Sequence, residues 1–179
     1  MDLSDIEKYD SQKMYKVYDK WPEIARESFE SEQESIDFHD IDHIVFAGMG
    51  GSGAIGDVFS SILSKSDIHV SLVKGYLLPK TVDKNTLVVT TSVSGKTTET
   101  LTVLESAKKM DCNLIAFSSG GEMQKYCEQQ KITFRKIPLF HSPRTSLITF
   151  TYSILKILNS IIPIDKNSIL ESLNELDNM

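Results

Sequence analysis

Residues 43–53 read HIVFAGMGGSG, five strand-forming residues running straight into a glycine-rich turn. An apolar run closed by such a turn, with an amphipathic stretch over 54–63 behind it, opens a strand–loop–helix unit. The alternation repeats downstream. Further strands are expected at 69–73 (HVSLV), 87–91 (LVVTT), 114–117 and 132–135, with helices over 54–63, 97–110, 122–129 and about 144–162. Only KGYLLPKTVDKN, between the second and third strands, holds no good helix. Near-continuously apolar strands joined by helical crossovers predict an α/β fold, a three-layer sandwich around a five-stranded parallel sheet. Ligands are then expected beyond the carboxyl ends of the strands.

Upstream of the first strand, Met14, Val17, Tyr18, Trp21, Ile24, Ala25 and Phe29 form a helical stripe interrupted by Pro22. This predicts a helical hairpin or a kinked helix. The chain divides into a helical extension (1–36), the domain proper (37–163) and a polar tail (164–179). The tail carries a weak stripe of Ile169, Leu170, Leu173 and Leu176, expected to pack on the domain or on a partner.

The 179 residues suffice for one well-cored domain. With 25 acidic against 19 basic residues and a net charge of -6, the chain as a whole is repelled by nucleic-acid backbones and anionic membranes. No apolar run approaches the roughly 20 residues that span a bilayer, and the start MDLSDIEKYD has no apolar signal core, so a cytoplasmic protein is expected. Cys112 and Cys127 lack CxxC spacing, and His39, His43, His69 and His141 form no ligand pair on one helix face. No metal site is expected.

An anionic substrate must therefore be held by local groups, and the loops offer them. Residues 48–53 (GMGGSG) satisfy the dinucleotide pattern GxGxxG, but the second strand ends in Lys74 where an acidic residue would hold the ribose. Lys74 leaves NADP as a minor alternative. The third loop, Ser92-Val93-Ser94-Gly95-Lys96-Thr97-Thr98-Glu99, ends like a P-loop, yet Thr90 stands where the first glycine of that motif belongs. Its hydroxyls, leading into a helix whose first N–H groups are unpaired, suit a single phosphate. The simpler alternative is that they cap a helix. Two more polar loops follow at the same sheet edge, Ser118-Ser119-Gly120-Gly121 and His141-Ser142-Pro143-Arg144-Thr145-Ser146. An arginine at a helix start opposes the helix dipole, which points to a negative ligand or a developing oxyanion; the competing explanation is a surface salt bridge.

Taken in order, GMGGSG, SVSGKTTETL, SSGG and SPRTS resemble the N-terminal sugar isomerase (SIS) domain of bifunctional phosphoglucose/phosphomannose isomerases over about residues 40–160. The resemblance implies a flavodoxin-like SIS domain. It also implies a sugar-phosphate ligand whose phosphate meets Gly51, Ser52, Ser92, Ser94 and Thr97, and a catalytic Arg144 that stabilises an enediolate. Relatives usually carry asparagine where this chain has Lys96. Their general base and a histidine for ring opening come from a second SIS domain and from across a dimer. Within this chain Glu99 and His141 are the weaker candidates for those roles. The expected partners are a sugar phosphate and either a second copy in a homodimer or a separate chain carrying the second SIS domain. Enediol chemistry calls for no metal or cofactor. Two functions stand: aldose–ketose isomerisation of glucose 6-phosphate or mannose 6-phosphate and fructose 6-phosphate, or non-catalytic sugar-phosphate binding.

Overall fold

A computed structural model describes residues 3–178, with side chains from Asp5 onward; Met1, Asp2 and Met179, the outer ends of the expected extension and tail, lie outside the described residues. Five strands, β1 (His43–Ala47), β2 (His69–Val73), β3 (Thr86–Ser92), β4 (Asn113–Ser118) and β5 (Thr133–Lys136), form one sheet in the order β2-β1-β3-β4-β5. Every neighbouring pair is parallel. Each expected strand is present within one residue at either end.

The strands read as unbroken apolar runs because both faces of the sheet are covered. Ile44, Phe46, Leu87, Val89, Ile115 and Phe117 point to one side, where they meet helices α4 (Gly51–Ile62) and α7 (Leu147–Ile157). Val45, Val88 and Ala116 point to the other, against α5 (Thr98–Ala107) and α6 (Gly121–Gln130). Period-two alternation thus sorts one strand into two cores. Phe46 and Phe59 stack with ring centroids 5.0 Å apart, and Gly56 lets α4 approach β1, since a Cβ there would lie 3.1 Å from Phe46 and Leu72.

Two expectations are corrected, and the packing of the tail is defined. Pro22 does not kink a helix but opens one: it lies in the first turn of α3 (Trp21–Glu30), where a missing N–H costs nothing, after the short helices α1 (Leu3–Tyr9) and α2 (Tyr15–Tyr18). The last long helix begins at Leu147 rather than near Arg144, so Pro143 and Arg144 occupy the turn before it, and Arg144 is not inside its first turn. The polar tail is mostly helix α8 (Lys166–Asp177), whose N-cap Asp165 accepts from the N–H groups of Asn167 and Ser168. Its Ile169 and Leu173 complete the main core beside α3, and Arg26 closes the seam with a 2.6 Å ion pair to Asp177. Among the described residues, no helix is long and apolar enough to cross a membrane.

At the amino ends of the strands lies a buried histidine. His43 Nδ1 is 3.3 Å from Thr86 Oγ1, whose own O–H donates to Asp83 Oδ1 at 3.0 Å. The ring must therefore donate from Nδ1, leaving Nε2 to accept from Ser71 Oγ at 2.9 Å, which fits a neutral imidazole. Burial, and next the His69 ring 4.8 Å away, pull its pKa below 6.5. A base whose folded pKa is depressed contributes stability above its unfolded pKa and loses that contribution as pH falls, because the unfolded chain takes up the proton first. Urea midpoints are expected to drop between about pH 7 and pH 5, and the drop to be shallower in His43→Asn.

Candidate functional site

The chain leaves β1 toward β2 on one side and β3 toward β4 on the other, so the sheet order reverses between β1 and β3. A crevice opens beyond the carboxyl ends of two such strands, and it is here that the loops after β1 and β3 converge. A cleft of about 250 Å³ is lined by Met49, Gly51, Ser52, Val93, Ser94, Thr97, Pro143 and Arg144. It brings together Gly51, Ser52, Ser94, Thr97 and Arg144 of the residues named from sequence. Met49, Val93 and Pro143 complete the lining as apolar neighbours within the same motifs, although the spacing singles none of them out as a site residue.

Backbone geometry builds this cleft. Gly50, at φ 56°, turns the chain into α4 and supplies no side chain to cap it, so Gly51 and Ser52 open the helix facing the cleft. Ser52 Oγ accepts from the Val93 N–H at 3.3 Å, tying the first loop to the third. Thr97 stands at the N-cap of α5, but its side chain does not cap the helix; Oγ1 sits 2.9 Å from Ser92 Oγ instead. Capping is therefore not what holds these hydroxyls in place. Ser92 is buried beneath the loop and accepts from the Gly95 N–H at 3.1 Å, which makes it a support under the cradle rather than part of its lining.

The SSGG loop plays a different part from the one its composition suggests. Ser119 donates to the Val93 carbonyl from both its N–H (3.1 Å) and its hydroxyl (2.7 Å), and Met123 N–H donates to Gly95 O at 2.9 Å. Ser118 is buried and turned toward Gly120. Gly95 has φ 65°, and a Cβ on it would stand 1.9 Å from Gly120 O; one on Gly121 would stand 2.6 Å from Ser94 O. The loop after β4 is thus a wall against which the cradle loop is pressed.

The weaker candidates lie outside the lining. Glu99 lies close enough to Tyr76 for its charge to raise the pKa of that phenol, and His141 Nε2 is 3.0 Å from Gln12 O. Lys96 is exposed and also outside the lining, its N–H 3.3 Å from Ser94 Oγ. Lys74 is bound by both oxygens of Asp57 at 2.7 and 2.8 Å, so the one feature that favoured a 2′-phosphate is already occupied. Arg144, by contrast, is exposed and makes no ion pair among the described residues, which removes the salt-bridge explanation. Burial raises the thiols of Cys112 and Cys127, the latter to about 11, as befits packing residues. Among the described residues no group of three or more His, Cys, Asp or Glu side chains is placed to hold a metal. A larger hollow of about 670 Å³ between α1 and α2 is apolar and carries Asp5 and Asp10, the wrong charge for a phosphate.

Hydroxyls, a helix start and a guanidinium without an ion pair among the described residues thus meet at the reversal of the strand order of a parallel α/β domain. The chain belongs to the SIS domain family, whose model matches residues 37–160. A bifunctional phosphoglucose/phosphomannose isomerase of Caldicellulosiruptor bescii is 37% identical over 109 residues, 60% of this chain and 32% of that protein. One of Aquifex aeolicus is 33% identical over 143 residues, 79% of this chain and 43% of that protein. The chain therefore spans less than half the length of these curated relatives. In structure it resembles glucosamine-6-phosphate deaminase of Thermotoga maritima, with a TM-score of 0.62 at 17% identity over 90% of this chain and 52% of that one.

Proposed function

We propose that the cleft binds a phosphorylated sugar, with the phosphate against Gly51, Ser52, Ser94 and Thr97 and the sugar carbon chain directed toward Arg144. The convergence of three hydroxyl residues and an unpaired arginine on one cleft carries this reading. Hydroxyl and helix-start donors bind a dianion without bulk positive charge, which suits a chain of net charge -6. Arg144 then faces the developing negative charge of an enediolate, the role it would have in aldose–ketose isomerisation of glucose 6-phosphate or mannose 6-phosphate to fructose 6-phosphate.

Moving a proton between C1 and C2 also needs a base. The cleft lining contains no carboxylate and no imidazole, Glu99 lies outside it beside Tyr76, and His141 is turned to Gln12. We therefore place the base on a second SIS-type segment or chain, and that same observation favours the second reading, binding without turnover by this chain alone. Calorimetric titration with fructose 6-phosphate, followed by an assay for its conversion to glucose 6-phosphate, separates them. Saturable binding without turnover is the expected result. Turnover would place a base within this chain, and no binding of any sugar phosphate would sink the reading.

A further inference from the structure

Arg144 has no side-chain partner among the described residues, so the backbone that carries it must determine where its guanidinium lies. That backbone is tied from inside the turn and from outside it. Inside, Thr145, fully buried, donates from Oγ1 to Phe140 O at 2.5 Å and accepts from the Ser142 N–H, while Ser146 donates to Ser142 O at 2.9 Å. Outside, Trp21 Nε1 donates to the Thr145 carbonyl at 3.0 Å, His141 meets the carbonyl of Gln12 at 3.0 Å, and Ser142 Oγ lies 3.7 Å from Met14 Sδ. These outer ties all come from residues 12–21, before the segment that the SIS model matches.

We propose that the N-terminal segment is a brace that sets the position of Arg144, with Trp21 as its positioning residue. The proposal rests on the assignment of Arg144 to the sugar-phosphate site. Trp21 opens α3, which is anchored in the core through Ala25, and its ring meets Tyr18 edge-on with centroids 4.7 Å apart. Its indole N–H thus extends from a fixed element. Thr145 O belongs to the peptide between Thr145 and Ser146, so loss of the indole donor frees the peptide one residue beyond the Cα that carries the guanidinium. His141, held at φ 59°, fixes the other end of the same turn.

Trp21→Phe keeps an aromatic ring against Tyr18 while removing the donor along with the smaller ring of the indole, and His141→Asn, which leaves Trp21 in place, cuts a second tie with a residue that tolerates left-handed backbone. Two measurements test the brace on cooperatively folded variants. Hydrogen exchange of the 139–147 peptide is expected to speed up about threefold to tenfold in both variants, the size of one hydrogen bond. Unchanged exchange overturns the brace whatever the ligand does. Fructose 6-phosphate affinity is expected to fall by a similar factor in Trp21→Phe and to fall no further when that change is added to Arg144→Ala, because a residue acting through Arg144 has nothing left to act on. Additive losses overturn the positioning role. Wild-type binding that Arg144→Ala weakens and Trp21→Phe does not overturns it as well, leaving the function reading intact; absence of any wild-type binding overturns the function reading and the positioning role together. Trp21 is the only tryptophan in the chain, so its emission provides a direct signature. It is expected to change on fructose 6-phosphate addition to the wild type and to stay constant in Arg144→Ala.

Discussion

Gly95→Ala is expected to lower stability by about 3 kcal/mol or more and to abolish ligand binding. Two independent costs add at this residue. A side chain at φ 65° is strained by about 1–2 kcal/mol. The new Cβ would also lie 1.9 Å from the Gly120 carbonyl oxygen and 2.8 Å from Ser118 Oγ, and the nearer obstacle is backbone that cannot swing aside. Relief requires the two loops to part, which breaks the Met123-to-Gly95 and Ser119-to-Val93 bonds and carries Ser94 and Thr97 away from Ser52. In a domain of this size the loss corresponds to roughly 6–12 °C in thermal midpoint. Gly51→Ala is the control for stability: a Cβ there meets nothing within 4 Å, and melting is expected to change little. A Gly95→Ala protein that melts like the wild type would mean the two loops do not interlock.

Arg144→Ala is expected to do the reverse, sparing the fold and weakening the ligand. The side chain is exposed and without an ion pair among the described residues, so its removal changes stability by no more than about 0.5 kcal/mol. A charge-assisted hydrogen bond to an anion is worth about 1.5–3 kcal/mol, or roughly 10- to 100-fold in dissociation constant. Calorimetry with fructose 6-phosphate reads the second number and a thermal melt the first. Arg144→Lys, which keeps the charge without the planar fork, is expected to fall between. Equal affinities for wild type and Arg144→Ala would remove Arg144 from the site.

The layers of the fold were legible because their cause is local. Each strand is an apolar run that both faces of the sheet require, and each crossover is amphipathic with the helical period. Boundaries slipped where local signals conflict: α4 starts at Gly51, among glycines that read as loop, and α7 waits until Leu147 because Thr145 and Ser146 spend their hydroxyls on the preceding turn. The stripe of α8 was visible, but not that Ile169 and Leu173 would be needed to close the core beside α3. The same division runs through the site. Hydroxyl loops at one sheet edge follow from the order of elements. Which of them face the cleft does not, because that depends on how segments far apart in sequence cross. Ser118 turns to Gly120 within its own loop, Ser119 turns to support the third loop, Glu99 lies beside Tyr76 from the crossover that lacked a helix, and His141 is met by Gln12. None of these partners is signalled by the spacing of either residue.

The interlock of Gly95 with Gly120 and Gly121 has a kinetic consequence. Backbone wedged between two loops has little room to open and close, so a sugar phosphate bound as proposed is expected to meet the shape it will occupy. Association is then governed by encounter and by the local field of Arg144, and different ligands arrive at similar rates. What separates a good fit from a poor one is how long each stays.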